Sequence, residues 1–439
     1  MSEYSKSFFS LNSWKQRLVF WLGAIIIGLL ISTMTLLSED VSELYRELSL
    51  QYPWFNFVVA PFGLALTAWI TVRFFPGSQG SGIPQVKIAI ELPHTMVERS
   101  SLVSFRIAIG KTFLPIMGLL SGASVGFGGP ATHVGASLMA SLGKVFKFPA
   151  HYMERGLLLA GSAAGFAAMF SAPLGGIMFA IEEMGRTLEE RVSTLVLTAI
   201  IFAGITAYSI LNHTIYFTDN ELSLPWGEGW WAIPLCGIVG GLLGAIFSKI
   251  VVTGQAYIKK KKFRMVPTAF VCGCVIAVLG YFSQGESFGT GYQLAKNILQ
   301  DKASIDPFFP LYKMFATIAT FFSGIPSGIF VPSIATGAGL GANLAAWFPI
   351  APTSVMILLT ITAYFSGMLQ SPLTSFVVVL EMTHSHDLSI PLMAAAFLAS
   401  ATSKLINPDP LYRALCNAYQ IKRNEEVTKD DLQKQADQK

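Results

Sequence analysis

From Met314 to Leu380 the chain contains no Asp, Glu, Lys or Arg. A stretch of that length without one charge cannot form the surface of a water-soluble domain, whose charged content averages about 25%. Shorter uncharged runs recur at Leu18–Ser38, Gln51–Val72, Val192–Thr218, Gly229–Ser248 and Met265–Gly285. Each reaches the roughly 20 apolar residues that a helix needs to cross a bilayer. Over all 439 residues only 13% are charged. The chain is therefore expected to be an all-α polytopic membrane protein.

Charge placement predicts its orientation. Lys15 and Arg17 precede the first run, "YIKKKKFR" (Tyr257–Arg264) separates two later ones, and Lys422, Arg423, Lys429, Lys434 and Lys439 lie in the tail. Ile215–Gly229 holds Asp219, Glu221 and Glu228 without a Lys or Arg. Basic residues collect on the cytoplasmic side, so both termini and the lysine turn are expected there. The lysine run is a topology signal rather than a nucleic-acid site. Leu18–Ser38 is long enough to span and lacks a cleavage site, so it reads as a span and not a signal peptide. The expected organisation is a cytoplasmic segment at 1–17, a membrane domain at 18–419 with halves of about 18–211 and 229–419, and a charged cytoplasmic tail at 420–439.

The two halves resemble each other. At an offset of 202, Ser121-Gly122 meets Ser323-Gly324, Gly126 meets Gly328, Pro130 meets Pro332 and Gly135 meets Gly337. Further on, "SAPLGGIMFAIEEM" (Ser171–Met184) resembles "QSPLTSFVVVLEMT" (Gln370–Thr383), which aligns Pro173 with Pro372 and Glu182 with Glu381. Interrupted apolar segments at matching positions of two halves point to a binding site at their interface.

The interruptions themselves suggest the ligand. Gly126–Pro130 and Gly328–Pro332 each precede an apolar helical stretch, Ala131–Val145 and Ser333–Trp347. Non-helical backbone at membrane depth survives only where it is buried in protein or lines a cavity. The first N–H groups of a helix lack intrahelical partners, the dipole adds positive potential there, and glycine lets a ligand approach the backbone. Such a site holds an anion without a full positive charge. A third glycine loop, Gly80-Ser81-Gly82-Ile83-Pro84, adds a hydroxyl donor.

Other patterns carry less. Gly122–Gly126 fits G-x-S-x-G, but that motif needs a strand–turn–helix context and a His/acid pair. Gly337, Gly339 and Gly341 lack a preceding strand and read as helix-packing glycines. His384-Ser385-His386-Asp387 reads as a polar loop end, and Cys236, Cys272, Cys274 and Cys416 as small packing residues. No nucleophile or metal constellation is complete, so no enzyme is expected.

Together these motifs resemble the CLC chloride channels and transporters. GSGIP (Gly80–Pro84), GFGGP (Gly126–Pro130, where the family usually shows G-K/R-E-G-P) and GIFVP (Gly328–Pro332) match its three filter motifs in order. "PLYRAL" (Pro410–Leu415) matches the segment carrying the pore tyrosine, and "APLGGIMFAIEEM" (Ala172–Met184) the helix after the filter. The resemblance, from about Gln16 to Tyr419, implies a CLC-type inverted repeat of tilted and broken helices, homodimeric, with one anion path per subunit. It implies no cofactor, with chloride the bound ligand. Ser81 and Tyr412 hydroxyls and the N–H groups of Ile329 and Phe330 are then the anion donors. The filter comprises Gly80, Ser81, Gly82, Ile83, Pro84, Gly126, Phe127, Gly128, Gly129, Pro130, Gly328, Ile329, Phe330, Val331 and Pro332. Serine in the first motif favours chloride over nitrate or fluoride.

The chain departs from the family at one position. Gly128 stands where the family usually carries a glutamate that blocks the outer site and carries a proton, and Phe127 replaces the basic residue before it. Passive anion conductance without stoichiometric proton exchange is expected. The alternative is proton-coupled exchange using Glu183, which matches the inner proton-transfer position, with a different proton donor. His133, five residues past Gly128, is a candidate for that donor, but the expected role is packing or hydrogen bonding. Lys87, Lys111 and Lys313 have no place assigned by sequence. A bacterial inner-membrane location is expected, and regulation through cytoplasmic domains after the short tail is not expected.

Overall fold

The computed structural model describes residues 11–91, 101–146, 152–185, 193–211, 222–302, 306–383 and 385–418. The first ten residues, the Asp219–Glu221 stretch, His384 and the tail lie outside them.

The described residues are built from helices. The first half holds α1 (Leu11–Gln51), α2 (Pro53–Phe74), α3 (Ile83–Glu91), α4 (Phe105–Leu119), α5 (Gly128–Val145), α6 (Tyr152–Phe170), α7 (Pro173–Phe179) and α8 (Thr194–Leu211). A π-helical turn, Ala180–Met184, extends α7. The second half repeats the series: α9 (Ala232–Lys260), α10 (Met265–Phe282), α11 (Tyr292–Leu299), α12 (Phe309–Phe322), α13 (Phe330–Trp347), α14 (Thr353–Leu369), α15 (Pro372–Thr383) and α16 (Ser389–Ile406). A last helix, α17, covers residues 411–418. Packing repeats with the order. In the first half α5 packs on α6, α6 on α8 and α8 on α1; in the second, α13 packs on α14, α14 on α16 and α16 on α9.

Among the described residues six helices are long and apolar enough to cross a membrane. Their faces show which side meets lipid. On α1, Ala24, Ile27, Ile31 and Met34 are buried, while Leu18, Leu22, Ile26 and Leu29 point outward. A helix that exposes leucine on its outer stripe is suited to hydrocarbon, not water. The 41 residues of α1 make a helix about 60 Å long, about twice the hydrocarbon core. It therefore runs beyond the predicted end at Ser38 and carries Glu39, Asp40 and Glu43 on its last turns. By contrast α3, α7 and α11, at nine, seven and eight residues, are too short to span.

Helix pairs close by backbone contact. A Cβ on Gly135 of α5 would lie 2.1 Å from the Gly161 carbonyl oxygen of α6, and one on Gly367 of α14 2.5 Å from the Gly241 carbonyl of α9. Small residues substitute for hydrophobic drive where lipid is as apolar as leucine. Gly337 and Gly341 pack α13 on Ile361 and Ile357 in the same way, as their sequence reading expects.

Candidate anion site at the helix starts

The two matching glycine loops meet each other. Gly126 N donates to the Gly328 carbonyl at 2.9 Å, and Gly328 N donates to the Gly126 carbonyl at 2.7 Å. This is an antiparallel bridge between equivalent residues of the two halves. Equivalent residues paired in this way require a local two-fold axis through the bridge, so α5 and α13 leave it in opposite senses. The third loop is tied to the same place: Gly80 N donates to the Gly324 carbonyl at 3.3 Å and Ser327 N to the Gly80 carbonyl at 3.4 Å.

Both long helices start earlier than the sequence suggests, α5 at Gly128 rather than Ala131 and α13 at Phe330 rather than Ser333. Proline is tolerated in a first helical turn because its missing N–H would be unpaired there. Pro130 and Pro332 are thus inside the helices, and residue 128 is the first of α5. The N–H groups of Phe127, Gly128, Ile329 and Phe330 have no protein acceptor among the described residues.

Two hydroxyls converge on these helix starts. Ser81 is 3% exposed and Tyr412 fully buried. They lie near enough to interact, yet neither oxygen completes a hydrogen bond among the described residues. Buried polar atoms without partners are rare in a settled fold. Cys416, on the same helix α17 as Tyr412, reaches the Pro84 carbonyl at 3.6 Å, docking it on the Gly80–Pro84 loop. Ser81 lies against Gly129, where a Cβ would come within 2.2 Å of its Oγ. The Phe330 ring lies 5.9 Å from that of Tyr412 and packs on Phe365 and Phe166. The four residues assigned as anion donors from sequence are thus brought together.

No side chain fits at Gly128 as the site stands. Its Cβ would lie 2.3 Å from Cδ2 of Phe330. Phe127 is fully buried and supplies no charge.

The carboxylates sort into two kinds. Glu381 accepts from the backbone N–H groups of Leu174 and Gly175 at 3.0 and 2.7 Å. Its equivalent, Glu182, accepts from those of Leu373 and Thr374 at 3.2 and 2.7 Å. Each half therefore caps the helix start of the other, α7 and α15, and these two acids are structural. Glu183 differs. It is 3% exposed, accepts from Ser371 Oγ at 2.9 Å and pairs with Lys87 Nζ at 2.7 Å. Sequence alone left Lys87 unplaced because its partner is 96 residues away.

The other buried cations hold loops. Lys111 Nζ donates to the Gly80 carbonyl at 2.7 Å. Lys313 Nζ donates to the carbonyls of Ser287, Phe288 and Gly289 at 3.1, 3.0 and 2.8 Å. His133 is fully buried with Nε2 on the Leu102 carbonyl at 2.8 Å. Ser124, centre of the G-x-S-x-G match, is bound by Thr317 and Thr320.

An apolar helical shell around two interlocked repeats, with helix starts meeting at the centre, defines an integral membrane protein of the inverted-repeat transport type. The chain belongs to the voltage gated chloride channel family, the CLC family, which matches residues 63–404. It is an anion-transport family and not one of enzymes. The H(+)/Cl(-) exchange transporter ClcA of Vibrio campbellii is 27% identical over 395 residues, covering 86% of this chain and 82% of that one. The protein of the same name from Vibrio parahaemolyticus is 28% identical over 398 residues, with 86% and 82% covered. Among solved structures, a slow cyanobacterial Cl-/H+ antiporter superposes with a TM-score of 0.79 at 22% identity, covering 93% of this chain and 99% of that one. A CLC-type fluoride/proton antiporter gives 0.71 at 18% identity, covering 92% and 98%. The fold is the CLC fold.

Proposed function

We propose that this protein passes small monovalent anions, chloride foremost, down their electrochemical gradient without stoichiometric proton exchange. The observation that carries the reading is Gly128. The first residue of α5 has no side chain to compete with an anion and none to carry a proton. Phe330 fills the space in which such a side chain would start. The anion exchanges part of its hydration shell for Ser81 and Tyr412 hydroxyls and for the N–H groups of Ile329 and Phe330. The backbone around Gly126–Gly129 forms the next, outer station, where the N–H groups of Phe127 and Gly128 have no protein acceptor among the described residues. All these donors are neutral, which lets the ion enter and also leave. The unpartnered Ser81 and Tyr412 oxygens support this assignment.

A second reading is proton-coupled exchange through Glu183. The relatives favour it over the first: the similar curated proteins are named as H(+)/Cl(-) exchangers and the similar structures as proton antiporters. Within this chain, protonating Glu183 breaks its ion pair with Lys87, and no carboxylate stands at residue 128 to pass the proton onward. These two features speak for passive transport.

The protein acts as a homodimer with one path per subunit, in a bacterial inner membrane, with the Lys259–Lys262 turn and both termini cytoplasmic. In liposomes loaded with potassium chloride, efflux should require a potassium shunt, because each chloride that leaves carries charge. Fast efflux without any shunt would overturn electrogenic passage.

A further inference from the structure

The Gly80–Pro84 loop has a copy that the offset of 202 conceals. Gly289-Thr290-Gly291-Tyr292 precedes α11 as Gly80-Ser81-Gly82-Ile83 precedes α3, an offset of 209. The backbones agree: φ is +66° at Gly80 and +67° at Gly289, and positive at Gly82 and Gly291. The supports agree too. Lys111 holds the Gly80 carbonyl and its equivalent Lys313 holds that of Gly289. Gly82 lies against His133 of α5, and Gly291 against Ala335, the matching position of α13.

The two copies differ in what faces the hydroxyl. Ser81 Oγ completes no hydrogen bond among the described residues. Thr290 Oγ1 donates to Glu39 Oε1 at 2.7 Å. A carboxylate of the protein therefore occupies the hydroxyl whose counterpart is left open. Glu39 also stands at a junction. It lines a mouth cavity of about 630 Å³ together with Glu286 and Thr290. It lines as well a smaller cavity of about 150 Å³ that passes Met169 and Phe170 to Val331. Val331 is the second residue of α13, and Phe170 touches the Phe330 ring. The junction lies beyond the end of α10 opposite the lysine turn, on the outer face in the proposed orientation.

We propose that Glu39 is the carboxylate that controls anion passage in this protein, a tethered negative charge between the outer mouth and the filter. The inference rests on the anion path described above. Ionised, Glu39 opposes an approaching anion and holds Thr290; protonated, it loses its charge and the way is open. The groups around it are Asp40, Glu43 and Arg46 on α1, Glu286 and Lys302 in the mouth, and Lys313 on α12. Lys313 is committed to three carbonyls, and Glu43 is half-exposed beside Arg46 at 3.5 Å. Glu39 is thus the acid of this group that combines the junction position with a fixed hydroxyl partner.

The test is chloride efflux from liposomes at neutral and acid external pH. The unaltered protein should speed up as external pH falls. Glu39→Gln should run at the acid rate at both pH values, about tenfold faster than the unaltered protein at neutral pH, within the usual range of couplings between sites. Glu43→Gln removes the same charge from the same mouth and should change the rate less than about twofold, as a screened surface charge does. Glu39→Asp keeps the charge but is one methylene short of Thr290. It should give an intermediate, still pH-dependent rate, and it serves if the glutamine variant fails to fold. Efflux in which Glu39→Gln or Glu39→Asp keeps the rate and pH profile of the unaltered protein overturns this inference alone. Absence of chloride flux in the unaltered protein overturns the anion-path reading beneath it.

Discussion

Removing the Tyr412 hydroxyl separates a ligand site from a structural contact. In Tyr412→Phe the ring keeps its place beside Phe330, and the lost oxygen completes no hydrogen bond among the described residues. The fold should therefore not suffer, because deleting a buried polar atom that has no partner leaves no other group unsatisfied. The anion should suffer. A hydrogen bond to a charged group contributes about 1.5–3 kcal/mol, which corresponds to a roughly 10- to 150-fold loss of affinity. Ser81→Ala removes the second hydroxyl under the same conditions, since Ser81 Oγ is also unpartnered. Both hydroxyls serve one ion, so the double variant need not lose the sum of the two. Chloride titration calorimetry on the purified protein, read with its thermal unfolding midpoint, decides the matter. Weaker binding with an unchanged or higher midpoint is expected. Unchanged affinity with a lowered midpoint would refute the reasoning and make these hydroxyls part of the scaffold.

Gly128→Glu should slow chloride efflux at least about tenfold at neutral pH and recover at acid pH; displacing the Phe330 ring adds about 1–3 kcal/mol of destabilisation, visible in the unfolding midpoint. Lys87→Met leaves Glu183 buried without its cation, and breaking such a pair costs about 3–5 kcal/mol, measurable as a large drop in the midpoint. Glu381→Ala uncaps α7 and should cost about 0.5–2 kcal/mol, with Glu182→Ala costing a similar amount at α15; both variants should keep the chloride affinity of the unaltered protein in calorimetry.

Much of this was legible in the sequence because membrane burial writes in absences. Uncharged runs located α1, α2, α8, α9 and α10, though α1 continues past Ser38 to Gln51 and α9 past Ser248 to Lys260 because charged residues ride on their ends, and the offset of 202 brought together Gly126 and Gly328, which bond to each other. The helix starts were misjudged by three residues because Gly-Gly-Pro and Phe-Val-Pro read as breakers, whereas a first helical turn accepts proline. The reciprocal caps had only a partial signal: Glu182 and Glu381 align, but their partners lie about 200 positions away and only packing brings them near. The copy of the serine loop escaped for a different reason. Its offset is 209, so a search at one fixed spacing passes over Thr290. Lys87 and Glu183 had no local pattern, since long-range ion pairs leave none.

The central claim is that anions move without protons. Chloride efflux and external pH recorded together, on liposomes holding the purified protein with a potassium shunt, test it most directly. Fast chloride release with no change in external pH is the predicted result. Proton uptake in fixed ratio to chloride released would contradict it and assign coupling to Glu183.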